Sequence, residues 1–321
     1  MSNPIKKILL VRFSSIGDII VTTPVIRWLA HQGNFEVHYL THIRNKSILA
    51  SNPHISKLIT IEKSIHEVLG QLRKENYDLV FDLHKNIRSH ILRLLLGVRS
   101  ISYNKLTFEK WLMVSFKVNK LPKSKHQVDR YCDALHPFGI VNDSLGLEFN
   151  IIEEVLPFEV PNKYHVLVLG AAHATKRIPS DKCTEIINSS SLPFVLIGGQ
   201  DVVEIGRSLE TSNDRVINLT GKLSINQSAI VLQNAQTVVT GDTGMMHLAA
   251  ALQKDIVLLW GSTFQDFGMY PYYGKNKQYY SLRINELKCQ PCSSIGKDTC
   301  PKGHFRCMKD QDITQISSLL K

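Results

Sequence analysis

The chain has 321 residues, 43% of them hydrophobic and 21% charged, which is the composition of an ordinary folded protein long enough for two domains. No run approaches the roughly 18 apolar residues that a membrane-spanning helix needs, so we expect no such helix. The formal net charge is +10, and residues 1–150 carry most of it, with 21 Lys and Arg against 12 Asp and Glu.

The first half of the chain alternates apolar strands with amphipathic helices. KILLVRF is predicted to be a strand and not a signal peptide, because Arg12 interrupts the apolar run and no small-residue cleavage site follows it. We therefore expect a cytoplasmic protein. A helix ending near Ala30 is predicted next, and further strands at EVHYLT, KLITI and DLVFDLH are each followed by a helical pattern. This alternation is typical of a doubly wound parallel sheet.

The second half repeats the alternation after a connector. Residues 142–161 lose the rhythm of the first half and are predicted to form that connector. Strands are then predicted at YHVLVLG, PFVLIGG, VINLTG, TVVTGDTG and DIVLLWG, with helical patterns between them. We predict an α/β protein with two Rossmann-like, doubly wound parallel-sheet domains, residues 1–155 and 156–321, that face a central cleft.

The loop after the first strand has an unusual composition for a nucleotide-type fold. Phosphate-binding loops are usually rich in glycine. Here the sequence SSIGD, residues 14–18, has a single glycine and ends in the carboxylate of Asp18. The residues alone leave two interpretations of Asp18, a helix N-cap and a functional carboxylate.

Special residues in the second half lie where open parallel sheets bind ligands, at the carboxyl ends of strands. Lys176 and Arg177 follow the strand at VLVLG, and the sequence GDTG follows the strand at TVVT. Asp242 and Thr243 are suitable N-caps, and Gly244 allows close approach of the backbone. The helix MMHLAAAL begins there, and the positive end of a helix favours an anion. These features predict a diphosphate site.

A basic stretch lies between Lys85 and Lys125, where ten basic residues face one acid, Glu109. It predicts a surface for a polyanion such as a nucleic acid, acidic lipid headgroups or a phosphorylated glycan, and a solvated basic surface is the alternative. The basic residues are Lys85, Arg88, Arg93, Arg99, Lys105, Lys110, Lys117, Lys120, Lys123 and Lys125.

Three motifs, SSIGDIIVTTP, TKRIP and GDTGMMHLAAAL, occur in this order, and with them the sequence resembles glycosyltransferase family 9, the heptosyltransferases of the lipopolysaccharide inner core. The resemblance covers nearly the whole chain and implies a GT-B fold, with the acceptor bound by the N-terminal domain and the nucleotide sugar by the C-terminal domain. It implies inverting transfer of a heptose, or a related sugar, from an ADP-sugar to an anionic inner-core or lipid A acceptor, with no role for nucleic acid. Cationic side chains can stabilise the leaving diphosphate, so no cofactor or metal is required for catalysis.

The resemblance assigns the role of general base to Asp18, because the aspartate of the SSxGD loop has that role in the family. A base is needed because the acceptor hydroxyl loses its proton as it attacks the anomeric carbon, opposite the departing diphosphate. Ser15 and Gly17 are expected to shape this loop beside the acceptor. Lys85 and Arg88, directly after DLVFDLH, are expected to contact anionic groups of the acceptor. The outer lysines are expected to bring the protein into peripheral contact with the anionic inner membrane; they are Lys117, Lys120, Lys123 and Lys125.

On the donor side, the resemblance assigns Lys176 to the phosphates, in binding and in catalysis, with Arg177 assisting. Asp242 is expected to cap its helix or to contact sugar hydroxyls. An acidic residue binds the ribose in the family, and Glu204 is favoured over Asp201 for that role. The diphosphate is expected to meet the hydroxyl and amides of Thr243, Gly244 and Met245, with His247 near it.

Two departures from the family pattern bear on the identity of the donor. Ile178 stands where a tryptophan often follows the Lys-Arg pair, and Met245 and Met246 replace the usual Leu or Ser before the motif histidine. A different base or sugar in the donor is therefore an alternative.

Four cysteines, Cys289, Cys292, Cys300 and Cys307, fall within 19 residues near the end of the chain. Their spacing permits a structural zinc site, with His304 as an alternative ligand. Reduced thiols that pack a turn and disulfides are the other interpretations, and none of the three gives the cluster a catalytic role. The remaining cysteines, Cys132 and Cys183, are expected in the core.

Two other functions stay open at this point. The first is another GT-B nucleotide-sugar enzyme, either a transferase with a different donor or an epimerase. The second is a nucleic-acid-binding protein that uses the basic stretch and the cysteines, although few aromatic residues interleave the basic ones. A dehydrogenase is disfavoured because no G-x-G-x-x-G sequence follows any strand.

Overall fold

A computed structural model describes residues 6–123, 125–274, 277–285 and 287–320. Its first sheet has five parallel strands in the order β3-β2-β1-β4-β5. The chain order reverses between β1 and β4, which is the switch point where such sheets bind ligands. The strands are β1 (Lys7–Val11), β2 (Glu36–His42), β3 (Lys57–Ile61), β4 (Leu79–Asp82) and β5 (Ser100–Ser102).

Helices follow most of these strands. Where one helix ending near Ala30 was expected, the structure has α1 and α2, separated by Val21 and Thr22, and Thr22 is the N-cap of α2. The helices of this part of the chain are α1 (Ile16–Ile20), α2 (Thr23–Gln32), α3 (Lys46–Leu49), α4 (His66–Lys74), α5 (Ile87–Leu96), α6 (Thr107–Phe116) and α7 (Gln127–Leu135).

The second sheet has six parallel strands in the order β11-β10-β9-β6-β7-β8. Its switch point lies between β6 and β9. The strands are β6 (His165–Val168), β7 (Phe194–Ile197), β8 (Val216–Asn218), β9 (Thr237–Thr240), β10 (Asp255–Leu259) and β11 (Tyr280–Leu282). The helices are α8 (Ser180–Asn188), α9 (Val203–Thr211), α10 (Ile225–Asn234), α11 (Gly244–Ala251), α12 (Arg306–Lys309) and α13 (Ile313–Leu319).

Both sheets are buried on two faces, and this explains the sequence of their strands. In β1 and β10 the residues after the first are buried almost completely, as continuous apolar runs in parallel sheets require. Cys132 and Cys183 are buried, as predicted. Along the described chain no helix combines the length and the apolar character needed to cross a bilayer.

The chain separates into two compact units that do not coincide with the two halves of the sequence. The first unit holds residues 1–105 and 127–150, and the second holds residues 106–126 and 151–321. The division falls at 150/151, where the sequence suggested 155/156. The second unit also takes α6, so the basic stretch is divided, with Lys85 to Lys105 in one unit and Lys110 to Lys125 in the other.

The predicted connector has no helix or strand of its own, but its first part is bound to the first unit. Arg27 of α2 donates to both carboxylate oxygens of Asp143, to Glu148 at 2.7 Å and to the carbonyl of Gly146 at 3.0 Å. Charge-assisted bonds of this kind are stronger than neutral ones. They fix the chain as far as residue 150 to the first unit.

Two glycines let the segment after β6 pass close to the ends of β9 and β10. A Cβ on Gly241, after β9, would lie 2.1 Å from the carbonyl oxygen of Lys176. A Cβ on Gly261, after β10, would lie 2.3 Å from the carbonyl oxygen of Thr175. Both contacts are with backbone, which cannot rotate away. These positions therefore require glycine.

The substitution Gly241→Ala should lower the free energy of unfolding by about 2 kcal/mol or more, because an inserted methyl group displaces packed backbone. Urea denaturation measures this change. Gly70→Ala is the matched control, since Gly70 lies in the middle of α4 and a Cβ added there would have no atom within 4 Å. Alanine at that position should stabilise the protein by about 0.5–1 kcal/mol. Equal effects of the two substitutions would contradict the close-approach argument.

Candidate functional site

In the first unit, the loop after β1 is organised by a buried arginine. The guanidinium of Arg12 lies 2.6 Å from Oδ1 of Asp18 and donates to the carbonyls of Ser14 at 2.8 Å and Leu83 at 2.5 Å. Oδ2 of Asp18 accepts from the hydroxyl of Ser15 at 2.7 Å and from its amide at 3.2 Å. Arg12 thus joins the ends of β1 and β4 to the first turn of α1.

Of the two interpretations that the sequence left open, the N-cap is wrong, because Ser15 is the N-cap of α1 and Asp18 lies three residues later; a functional role of the Asp18 carboxylate stays a prediction. Its bond to the Ser15 amide is that of a residue in the first turn of a capped helix. Its bond to Arg12 is an ion pair, and the Asp18 side chain keeps 25% of its surface exposed against 9% for Arg12. Although burial lowers it, the Asp18 carboxylate raises the pKa of Arg12 above its ordinary value. The loop therefore presents a fixed carboxylate at the end of the central strand.

Burial and the charge of Arg12 together lower the pKa values of two neighbours, His84 and Lys105. Burial, followed by the positive charge of Arg12, lowers the pKa of His84 to about 4. The same two causes, in the same order, lower the pKa of Lys105. The Nδ1 atom of His84 is buried and finds no hydrogen-bond partner in the described part of the chain. His84 is consequently a neutral imidazole at the end of β4 near neutral pH.

The two acceptor residues expected after β4 have different surroundings. Lys85 donates its ammonium to the carbonyl of Tyr103 at 2.9 Å, which ties it to the end of β5. The Arg88 guanidinium lies over the ring of Phe13 at 5.7 Å and lines a cavity of about 630 Å³. The other residues of that cavity are basic, polar and apolar: Lys63, Ser64, Ile65, His66, Asn86, Ile87 and Ile91. Gly17 is buried in α1.

In the second unit, the switch point holds an ion pair between two strand ends. The ammonium of Lys176, after β6, lies 2.8 Å from Oδ2 of Asp242, after β9. The hydroxyl of Thr263, after β10, donates to the same oxygen at 2.7 Å. The Asp242 side chain is 8% exposed and that of Lys176 is 16% exposed. Asp242 does not cap its helix but contacts Lys176 and Thr263; its contact with sugar hydroxyls stays a prediction.

Thr243 is the residue that caps α11. Its hydroxyl accepts from the amide of Met246 at 3.3 Å. Gly244 and Met245 form the first turn, and both are partly accessible. His247 is buried one turn into the helix. The structure therefore brings Lys176, Asp242 and the start of α11 together, at the carboxyl ends of strands where the sequence placed them.

Arg177 and Glu204 have separate ion-pair partners. Arg177 pairs with Asp201 after β7 and donates to the carbonyl of Ala171 at 2.9 Å. The carboxylate of Glu204 is 81% exposed and pairs with Arg207 on the outside of α9, at 2.9 Å. Of the two acidic residues considered for the ribose, the structure places Asp201, and not Glu204, beside a predicted donor residue.

Residues 289–307, which carry the four cysteines and are called the cysteine segment below, contact the loops after β6 and β10 of the second unit. Gln290 donates its side-chain amide to the carbonyl of Gly261 at 2.6 Å, and the amide of Lys297 donates to the hydroxyl of Thr175 at 2.8 Å. The amide of Cys292 donates to the carbonyl of Ser262 at 3.0 Å. These contacts, which the sequence did not reveal, attach the segment to the loops on either side of the Lys176–Asp242 pair.

The thiols themselves are free in the structure, so the disulfide interpretation was wrong. Cys307 lies in the hydrophobic core, and its burial raises the pKa of its thiol to about 12. The Cys289 sulfur lies 3.8 Å from Nε2 of His304. Among the residues that the structure describes, no three His, Cys, Asp or Glu side chains are placed to hold a metal ion. The zinc site with Cys289, Cys292, Cys300 and Cys307 therefore stays a prediction.

With the geometry in place, comparison with known proteins identifies the family. The family model described as "Glycosyltransferase family 9 (heptosyltransferase)" matches residues 65–300, which is more than half of the chain. The chain belongs to glycosyltransferase family 9. It is therefore a glycosyltransferase, as the sequence motifs indicated.

Relatives and solved structures support the family and its fold. A lipooligosaccharide heptosyltransferase 2 of Campylobacter jejuni is 25% identical and covers 95% of this chain and 96% of its own. A family 9 glycosyltransferase of Veillonella parvula superposes with a TM-score of 0.78 at 20% identity, over 100% and 98% of the two chains. An E. coli heptosyltransferase solved with ADP-2-deoxy-2-fluoro heptose gives a TM-score of 0.65 at 21% identity, over 90% and 96%. The predicted GT-B fold is confirmed.

Arg12 is the main functional residue that sequence reasoning missed in this family 9 enzyme. Its one signal in the sequence is a charged residue inside an otherwise apolar strand. A charge is buried almost only when it is paired, and Asp18 lies close enough in sequence to be its partner. The interrupted apolar run indicates this pairing as well as arguing against a signal peptide.

The neutral His84 should make the fold sensitive to acid. Unfolded histidine titrates near pH 6.5, whereas the pKa of His84 in the folded chain is about 4. Between these values the unfolded chain binds a proton that the folded chain does not, so the free energy of unfolding falls as the pH falls. His84→Gln should reduce that loss by about 2 kcal/mol between pH 6.5 and 4.

Urea denaturation of both proteins across this pH range measures the difference. His90→Gln, at an exposed histidine of the neighbouring helix α5, is the control and should retain the acid sensitivity of the unmodified protein. The assignment of a depressed pKa to His84 fails when His84→Gln and the unmodified protein lose stability in parallel.

Proposed function

We propose that this family 9 enzyme transfers a heptose, with inversion, from ADP-heptose to an anionic acceptor of the lipopolysaccharide inner core or lipid A. The observation that carries the proposal is the carboxylate of Asp18, held by Arg12 and Ser15 at the end of β1. The names of the relatives support heptose and lipopolysaccharide as substrate classes, and the ligand of the E. coli structure supports an ADP-sugar donor.

The proposed base is Asp18. Its Oδ2 atom accepts two bonds from Ser15, while Oδ1 accepts from Arg12. The acceptor hydroxyl is proposed to donate to Oδ1, since each carboxylate oxygen has two lone pairs. In a single displacement the acceptor oxygen bonds to the anomeric carbon, its proton passes to Asp18, and the bond to the diphosphate breaks, leaving ADP with the electron pair.

The donor diphosphate is proposed to bind at the switch point of the second sheet. An ammonium has three donors, and Asp242 occupies one donor of Lys176, so Lys176 can still contact phosphate. A lone carboxylate would repel a phosphate. Asp242, however, holds Lys176 in place, and the ammonium compensates its charge. The start of α11, with Thr243, Gly244 and Met245, adds the positive end of a helix dipole. His247 lies one turn further into that helix.

Arg177 and Asp201 form the edge of the proposed donor site. Because they pair with each other, we propose Asp201 as the carboxylate for the ribose. Glu204 would have to leave Arg207 to take that role. Lys176 and the helix dipole supply positive charge to the leaving diphosphate, and we propose that catalysis uses no cofactor or metal.

On the acceptor side, Arg88 and its cavity are proposed to receive an anionic sugar, and Ser15 and Gly17 shape the loop that carries Asp18. Lys85 supports the end of β5, and its role at the acceptor is secondary to that of Arg88. Peripheral contact with an anionic inner membrane, from the cytoplasmic side, is proposed for the exposed lysines Lys120 and Lys123.

A different donor in the same fold is the second candidate function, since Ile178 is buried where a tryptophan often occurs in the family. Release of the nucleoside diphosphate from a panel of nucleotide sugars separates the two candidates. ADP-heptose should be the preferred donor, and turnover with another nucleotide sugar alone would replace heptose in the proposal.

Asp18→Asn should lower kcat by about 10²–10⁴-fold, because the acceptor hydroxyl loses its base, and the Kd for ADP should change little. Steady-state kinetics and calorimetry measure the two quantities. Glu62→Gln, at an exposed carboxylate of the same unit, is the control and should keep normal turnover. Near-normal kcat in Asp18→Asn with folded protein would remove Asp18 from the role of base.

Lys176→Met should weaken binding of ADP by about 10- to 100-fold, since a charge-assisted contact to phosphate is lost. Calorimetry with ADP tests it. Lys163→Met is the matched control, because Lys163 is exposed near the opposite end of β6 and should leave the Kd unchanged. Unchanged affinity in Lys176→Met would place the diphosphate elsewhere.

A further inference from the structure

Helix α6 is fixed to the second unit by one of its faces. Leu106 and Met113 are buried and form a small hydrophobic cluster with Leu121, Phe264 and Phe267. At the C-terminal end of the helix, Lys117 donates its ammonium to the carbonyls of Val114, Cys289 and Pro291. This ammonium is used to hold the helix to the cysteine segment. These contacts of its buried face therefore fix the position of α6 on the second unit.

The outer side of α6 carries aromatic residues that face water. Phe108 is 64% exposed, Trp111 50%, Phe116 61% and Val118 43%. The rings of Phe108 and Trp111 stack with centroids 5.8 Å apart, and the rings of Trp111 and Phe116 meet edge to face at 5.3 Å. We call these three rings the aromatic ridge. They form one continuous apolar surface on a helix that is anchored from behind.

A continuous aromatic surface of this kind marks an interaction site, because isolated proteins rarely expose one. Tryptophan and phenylalanine on a short helix, next to lysines, are typical of helices that lie in the interface of a bilayer. Helix α6 has 10 residues, about half the length that spans a membrane. It can lie on a membrane surface but cannot cross it.

Exposed lysines accompany the ridge. Lys120 and Lys123 follow α6 within seven residues of Phe116, and both are exposed. A cavity of about 710 Å³ beside the end of α6 is lined by the exposed residues Lys288 and Lys302, together with Val114. The one acidic residue of α6 is Glu109. The charge next to the ridge thus complements an anionic surface.

We propose that the aromatic ridge inserts into the headgroup region of an anionic bilayer, with Lys120 and Lys123 contacting lipid phosphates. Lysine is depleted at protein–protein interfaces, whereas each lysine near an anionic membrane contributes about 1 kcal/mol, so the composition favours lipid over a protein partner. The inference rests on the membrane contact proposed above for Lys120 and Lys123 and adds the apolar part of that contact; it can be tested without substrate, separately from the proposed sugar transfer.

Trp111 makes the ridge observable. The chain has three tryptophans, and the other two, Trp28 and Trp260, are 0% and 1% exposed. Vesicles of phosphatidylglycerol and phosphatidylcholine should therefore shift the emission of Trp111 to shorter wavelength and leave the other two unchanged. Lipids brominated near the headgroup end of the acyl chain should quench Trp111 more than lipids brominated near the chain terminus.

Two sets of variants separate insertion of the aromatic ridge from electrostatic attraction by the lysines. Phe108→Ser with Phe116→Ser should weaken partition into anionic vesicles by about tenfold or more, at low and at high salt. Lys120→Gln with Lys123→Gln should weaken it by about tenfold at low salt and much less at high salt, where charges are screened. The matched controls are Leu145→Ser with Val155→Ser, which removes other exposed apolar side chains, and Lys74→Gln with Lys163→Gln; both should bind vesicles normally.

The unmodified protein already tests the proposal, so the result does not depend on the folding of a variant. Absence of a spectral shift and of bromolipid quenching with anionic vesicles would overturn it. It would also be overturned by ridge variants that bind vesicles normally. A change from oligomer to monomer on substituting the ridge, with vesicle binding unaffected, would show that the ridge contacts a second copy of the chain.

Discussion

The pairing of Arg12 with Asp18 is the interaction on which the first unit and its proposed chemistry both depend. Arg12 lies directly after β1, and its guanidinium reaches the turn into α1 and the carbonyl of Leu83 after β4. A buried guanidinium with fewer partners would cost several kcal/mol. The Asp18 carboxylate therefore stabilises this shape of the loop, together with the carbonyls of Ser14 and Leu83. The residue proposed to remove a proton is also the one that completes the fold of its own loop.

The second unit also has an ion pair at its strand ends, formed by different residues. A cation after β6, Lys176, meets a carboxylate after β9, Asp242, and Thr263 after β10 fixes that carboxylate. The three strand ends can approach because Gly241 and Gly261 leave room for the backbone of residues 175 and 176. An ion pair thus lies at the switch point of each sheet. At that point the chain order of the strands reverses and leaves a crevice at the strand ends.

Much of this could be predicted from the sequence, for identifiable physical reasons. Parallel strands are buried on both faces and therefore appear as apolar runs, so KLITI was predicted as it occurs in β3. Open parallel sheets bind ligands at the carboxyl ends of their strands, and this rule placed Lys176 and the sequence GDTG at the same edge of the sheet. The side-chain partners could not be predicted in this way. Asp242 could pair with a lysine, cap a helix or contact a sugar, and only the geometry of three loops decides between them.

Helix α6 shows a different limit of sequence reasoning. Its residues are apolar on both faces, so the periodicity that identifies an amphipathic helix is absent from TFEKWLMVSF. The unit to which it belongs depends on contacts with Phe264 and Phe267, more than 140 residues away in the chain. The basic stretch was for this reason assigned as a whole to the acceptor domain, when half of it belongs to the second unit.

The chemistry of a carboxylate base determines when the proton can move. A carboxylate is a far weaker base than the alkoxide of a sugar. It cannot deprotonate a sugar hydroxyl in advance of the reaction. It can accept the proton once the oxygen has begun to bond to an anomeric carbon that carries positive charge, as it does in glycosyl transition states. A carboxylate in the role proposed for Asp18 therefore takes the proton while the bond to the leaving group is breaking.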